Sequence, residues 1–180
     1  MPYRQLFLFV EGDDDERFFR LVLEPLLRAR WDQIHYVQFS QKRAKKVRAY
    51  LQSIERIEGA SYLYVRDQDR LPCVTAAKEE VLWAYAHIDP QRIQIVQSEI
   101  ESWYCAGIRE DHPELGTRTV ATCADTREVT KEQFEQEILG KRGPRAAEMM
   151  AVLESFDLDR AARRNGSLRY FLEKACRPIV

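Results

Sequence analysis

The sequence predicts an α/β protein: a mainly parallel, four-stranded sheet flanked by helices, followed by a helical C-terminal extension. Three observations lead there. Strand-like and helix-like stretches alternate through residues 5–106, the order that builds parallel sheets through right-handed crossovers. The first apolar run, Leu6-Phe7-Leu8-Phe9-Val10, does not alternate with polar residues, which fits a strand covered on both faces. After Gly107 the strand signal disappears and helical spacing takes over.

Each element follows from its local pattern. Glu11-Gly12 stops the first strand, and Asp13 to Arg30 reads as a helix with Phe18, Phe19, Val22, Leu23, Leu26 and Leu27 on one side. Its acidic start suits the helix dipole, and Pro25 should bend or interrupt it. Ile34 to Phe39 is a second strand, and Lys42 to Ile57 a helix with Val47, Tyr50, Leu51, Ile54 and Ile57 as its stripe. Tyr62 to Val65 is a third strand ending at Asp67, and Thr75 to His87 a helix with Ala76, Val81, Leu82 and Tyr85 inward. Ile93 to Val96 is a fourth strand, followed by a short helix from Glu99 to Ala106. Residues 107–129, with Pro113, Gly116 and several Thr, read as a loop. Thr130 and Gln133 form a capping-box pattern before Phe134, Ile138 and Leu139. Gly143-Pro144 breaks and restarts the helix, and Leu168 to Ala175 ends the pattern. The expected division is an α/β core over 1–106 and a helical extension over 107–180 packed on it as one structural unit.

Composition narrows the function. The 180 residues hold 28 basic and 29 acidic side chains, a net charge of −1, so nucleic-acid binding has to come from local patches. Hydrophobic residues make up 45%, enough for a sizeable core. No apolar run reaches membrane-spanning length and no secretory leader is apparent, which predicts a cytoplasmic protein. Cys73, Cys105, Cys123 and Cys176 form no Cys-x-x-Cys pair and read as reduced thiols. There is no phosphate-binding P-loop, no Gly-x-Gly-x-x-Gly turn and no Gly-x-Ser-x-Gly elbow. Trp31, Trp83 and Trp103 read as packing residues.

The chemistry-bearing signal is acidic. Glu11-Gly12-Asp13-Asp14-Asp15-Glu16 follows the first strand, Asp67-Gln68-Asp69 the third, and Glu99-Ile100-Glu101 the fourth. Each group alone has a bland meaning: a helix start, a turn, or solvated charge. Their common position after strands is the signal, because ligands of open α/β sheets gather outside the carboxyl ends of the strands. Carboxylates collected there repel one another unless a cation intervenes, and hard oxygen donors select Mg²⁺ or Mn²⁺.

Phe9-Val10-Glu11-Gly12-Asp13-Asp14-Asp15-Glu16 resembles the opening Glu motif of Toprim (topoisomerase–primase) domains. Tyr64-Val65-Arg66-Asp67-Gln68-Asp69 resembles their Asp-x-Asp motif. Ser98-Glu99-Ile100-Glu101-Ser102-Trp103-Tyr104 is similar to the acidic segment of overcoming-lysogenization-defect (OLD) nucleases and of small stand-alone Toprim proteins of phage defence. The resemblance covers residues 5 to 106 and implies a Rossmann-like Toprim fold. It also implies a two-metal nuclease acting on DNA. Glu11 would be ligand or general base; Asp15, Asp67, Asp69, Glu99 and Glu101 would complete the set around two Mg²⁺ or Mn²⁺ ions. Whether Asp14 or Asp15 partners Glu11 stays open. Lys141 takes the place of the family's downstream lysine near the scissile phosphate. A separate ATPase protein is the implied partner, and self-association is compatible with the resemblance.

Basic clusters supply the candidate DNA contacts: Lys42, Lys45 and Lys46 in one group, Arg142 and Arg145 with Lys141 in another, and Arg160, Arg163, Arg164 and Arg169 in a third. Two alternatives stand beside the nuclease. One is a non-catalytic Toprim-like module that binds nucleic acid or protein. The other is a phosphorylated receiver-like domain, against which stands the absence here of a lysine following a fifth strand.

Overall fold

The computed structural model describes residues 3–140 and 143–176. By contacts within the chain it comprises two compact units, one up to residue 95 and a second from residue 96 onward.

The first unit carries the sheet. Strand β1 (Gln5–Val10) leads through α1 (Asp13–Phe18), a π-turn (Phe19–Leu23) and α2 (Glu24–Leu27) to β2 (Gln33–Gln38). Helix α3 (Ala44–Ile54), β3 (Ala60–Asp67), α4 (Val74–Ala84) and β4 (Ile93–Val96) follow. The strands are all parallel, in the order β2-β1-β3-β4. Gln5 pairs with Gln33 on one side and with Ala60 on the other. The expected parallel α/β sheet is therefore present. Its order also puts a topological switch between β1 and β3: the chain steps outward to β2, then crosses back to the far side of β1. At such a switch the connections leave neighbouring strands toward opposite faces of the sheet, the place where α/β sheets bind ligands at the strands' carboxyl ends.

Both faces of β1 are buried, as its unbroken apolar run requires. Phe9 stacks on Tyr64 at 6.1 Å between ring centroids, and Tyr64 continues to Phe39 at 4.5 Å. Val47, Leu51 and Ile54 of α3 and Ala77 and Val81 of α4 close this side. Leu6, Leu8 and Val10 alternate to the other face. The buried Phe18, Phe19, Leu23 and Leu27 of the first helical stretch supply its cover. Fully burying an aliphatic or Phe side chain of this kind contributes roughly 1.5–3 kcal/mol.

Several local expectations are corrected. The stretch from Asp13 is helical, but Pro25 cannot donate a backbone hydrogen bond, and the preceding turn widens into the π-turn. In α3 the buried stripe is Val47, Leu51 and Ile54, a strict i, i+4, i+7 set; Tyr50 and Ile57 stay exposed. In α4 the inward residue is Ala77, not Ala76, so that it lies one turn from Val81. Trp83 is not a packing residue: it is 89% exposed.

The second unit is helical. It contains α5 (Glu101–Ala106), α6 (Thr119–Thr122), α7 (Lys131–Glu137), α8 (Arg145–Glu154), α9 (Leu158–Arg164), α10 (Gly166–Phe171) and a closing π-turn (Leu172–Cys176). Helix α5 is buried throughout. The indole of Trp103 donates to Ser167 Oγ at 2.8 Å. The capping box is as expected: Thr130 Oγ1 accepts from Gln133 N–H, and Gln133 Oε1 accepts from Thr130 N–H. The stretch 107–129 is not all loop, since α6 forms inside it.

Arg164 holds this unit in a way its sequence context did not disclose. It is 6% exposed. Its guanidinium donates to the carbonyls of Cys105 (3.1 Å), Ala106 (2.8 Å), Val120 (3.0 Å) and Cys123 (2.9 Å). A cation is thus set against the carboxyl-terminal ends of α5 and α6, whose last carbonyls lack helical partners. Beside it, Asn165 Oδ1 accepts from Ser167 N–H and Leu168 N–H and caps α10. Among the described residues no helix is long and apolar enough to cross a membrane.

Candidate functional site

Acids stand at the carboxyl ends of β1 and β3, the two strands of the switch point. Glu11 is the first residue beyond β1, and Asp67 ends β3. Because these strands are hydrogen-bonded neighbours, the two residues meet: Asp67 N–H donates to Glu11 Oε1 at 3.1 Å. Ser40, beyond β2, donates its hydroxyl to the Glu11 carbonyl at 2.5 Å. Asp15 reaches back from the first turn of α1 and accepts from Gly12 N–H at 3.2 Å. Asp15 is 5% exposed and Asp67 8%. Carboxylates at such burial are costly unless charge or hydrogen bonds answer them, so their joint placement is a chemical feature rather than surface decoration.

The neighbouring acids have other roles. Asp14 is ion-paired with Arg17. Asp13 and Glu16 both accept from the Gln38 side-chain amide, at 2.7 and 2.9 Å. Of the Asp14/Asp15 alternatives, Asp15 is the buried one, tied to the turn that carries Glu11. Asp69 leaves the extended path: its φ is 52°, its side chain is 48% exposed, and Arg66 stands 3.5 Å from its carboxylate. The backbone turns at Asp-x-Asp, so the two aspartates do not continue one strand face.

In the second unit, Ser98, just past β4, has a φ of 59°, a conformation a non-glycine residue adopts only under constraint. Glu99 accepts from Lys131 N–H at the start of α7. Glu101 is 3% exposed and accepts from Arg145 at 2.8 Å. Burial pushes its carboxyl above the ordinary glutamate value, outweighing the lowering by Lys131 and Arg145. Arg145 also pairs with Glu135. The sequence predicts Arg145 as a DNA contact; its partner is instead a carboxylate 44 residues away, which the pattern around Pro144 does not disclose.

Lys42 donates to the Gln38 carbonyl at 2.7 Å, while Lys45 and Lys46 are exposed on α3. Lys141 and Arg142 lie outside the described residues. The donors around Glu11 are all oxygen, the chemistry a hard dication needs. As they stand, no three acid, His or Cys side chains among the described residues are placed to hold a metal ion. Fold and site together define a parallel α/β domain with buried acids at its switch point. No protein-family model, no curated protein and no solved structure matches the chain.

Proposed function

We propose that this chain is a Toprim-like, Mg²⁺- or Mn²⁺-dependent nuclease that cleaves DNA phosphodiester bonds in the cytoplasm, working with a separate ATPase protein in a defence system. One observation supports it above the rest: buried Asp15 and Asp67, with Glu11 bonded to the Asp67 backbone, stand at the carboxyl ends of the two neighbouring strands of the switch point. Glu11, Asp15 and Asp67 are the residues that would hold the metal. Two such ions, when bound, supply the positive charge that phosphodiester cleavage requires. The chain's own part is to fix the carboxylates: β1 and β3 set Glu11 against Asp67, and the Gly12 N–H orients Asp15. Asp69 joins the site on the strength of the Toprim resemblance.

A second reading is a non-catalytic Toprim-like module that binds nucleic acid or protein. It is favoured by the arginines that already meet Asp69 and Glu101.

Plasmid nicking in Mn²⁺ separates the two. Wild type nicks, and Glu11→Gln and Asp67→Asn each lose about 100-fold or more, the scale of removing one group that stabilises a transition state. Asp14→Asn, which removes a carboxylate paired to Arg17, stays within a few-fold of wild type. Equal nicking by wild type, Glu11→Gln and Asp67→Asn would reject the site. A wild type that neither nicks nor binds Mn²⁺ by calorimetry leaves the module.

A further inference from the structure

We propose that the outer flank of α3 and the end of α4 form a track for DNA with unpaired bases, in which Lys45 and Arg48 engage phosphates and Trp83 stacks on a base. This rests on the DNA part of the proposed function and names the form of DNA recognised.

Trp83 carries the inference. A tryptophan normally buries 150–250 Å² or so on folding, yet this one is 89% exposed, against 57% for the next most exposed large hydrophobic, Tyr3. Helix geometry explains the placement. Ala77 and Val81 face the sheet, and Trp83, two residues past Val81, points about 200° away from it. Its indole takes no hydrogen bond or ring contact among the described residues. The flat π-face is open to a ligand.

The surroundings choose the ligand. Residues 42–54 contain five cations, Lys42, Arg43, Lys45, Lys46 and Arg48, and no acid, in a chain whose net charge is −1. None of Arg43, Lys45, Lys46 and Arg48 enters an ion pair among the described residues. Lys45 and Arg48 are three residues apart, so they share one flank of α3. That flank faces α4, because Arg48 Nη2 donates to the Ala84 carbonyl at 2.9 Å, one residue from Trp83. Two acids lie one turn back on Trp83's flank: Glu80 is paired with Arg66 at 3.2 Å, and Glu79 bounds the track. Uncompensated cations beside an open indole match a polyanion whose bases are free to stack. Base stacking tolerates any sequence, since every base has a π-face, whereas the bases of an intact duplex are already stacked on one another.

The test is fluorescence anisotropy of the full chain with a labelled oligothymidylate and with a duplex of equal length, at low salt in EDTA. Trp83→Ala should weaken oligothymidylate binding about 5- to 150-fold, and Trp83→Phe should restore most of it. Paired Lys45→Ala and Arg48→Ala should lower the salt slope by about 0.7 per lost phosphate contact. Duplex binding should hardly respond to Trp83→Ala. Equal oligothymidylate affinity of wild type and Trp83→Ala would overturn the proposal. So would a Trp83→Ala effect seen only as lost self-association, or no wild-type binding at all. EDTA keeps the outcome independent of cleavage: Trp83-dependent binding with no nicking in Mn²⁺ would sink the nuclease and leave the track standing.

Discussion

Replacing Arg164 by Met should destabilise the second unit more than any surface change. The methionine keeps most of the aliphatic stem and removes the guanidinium. Four backbone carbonyls, those of Cys105, Ala106, Val120 and Cys123, then lose the guanidinium; Cys105 keeps the Ile108 N–H and Val120 the Cys123 thiol, so the Ala106 and Cys123 carbonyls bear the loss. Hydrogen bonds from a charged donor contribute about 1.5–3 kcal/mol each, and a buried acceptor left unanswered costs about 1–3 kcal/mol. Against that, the variant no longer buries a cation, a penalty of several kcal/mol. Burial, with Arg160 nearby, already holds the Arg164 pKa below the usual arginine range. The net expectation is a loss of about 1–3 kcal/mol, the cost of buried acceptors left without a donor. In a chain of this size that lowers the melting temperature by about 2–12 °C. Near-UV circular dichroism is the assay, because Trp103 is fully buried in the same unit and reports its packing. Arg164→Lys should fall between, since an ammonium cannot reproduce the planar fork. A Met variant within 1 kcal/mol or so of wild type would refute this account of the helix ends.

Two further outcomes follow from the second unit. Burial raises the Glu101 pKa, so the folded state binds protons more tightly than the unfolded one. The stability this group contributes is fully present below the ordinary glutamate value and is lost as pH rises through the raised folded value; urea titrations across that window should show the falling contribution in wild type and not in Glu101→Gln, and identical slopes would refute it. At Gly107 a Cβ would lie 2.3 Å from the Phe156 ring, so Gly107→Ala should cost about 1–3 kcal/mol by overpacking; a double-mutant cycle in urea should show Phe156→Leu recovering part of that loss, and no coupling would refute the contact.

The fold was largely legible because its signals are local. The apolar run ending at Val10, the acids that stop β3 at Asp67, and the Thr130–Gln133 box each act over a few residues. Strand order was not legible, since pairing β1 with β3 is a contact between segments more than fifty residues apart. The candidate site divides the same way. Glu11 and Asp67 could be nominated from their places after strands, but their direct hydrogen bond depends on that pairing. Asp69 turned on one backbone angle, and Glu101 on an arginine supplied by α8. Trp83 was misread because Val81-Leu82-Trp83-Ala84-Tyr85 is apolar on every side of the helix, so periodicity could not say which residue faces out.

Arg164 reads the course of the main chain and not the identity of its neighbours. Every hydrogen bond that fixes its guanidinium ends on a carbonyl oxygen or, more weakly, on the Cys123 sulfur. Carbonyl oxygens are common to all residue types, so side chains at 105, 106 and 120 are free to drift within the limits of packing while the arginine is not. Variation among descendants of this sequence should therefore concentrate around a fixed cation, and the segment between residues 107 and 119 can lengthen or shorten as long as its two ends return to the same clasp.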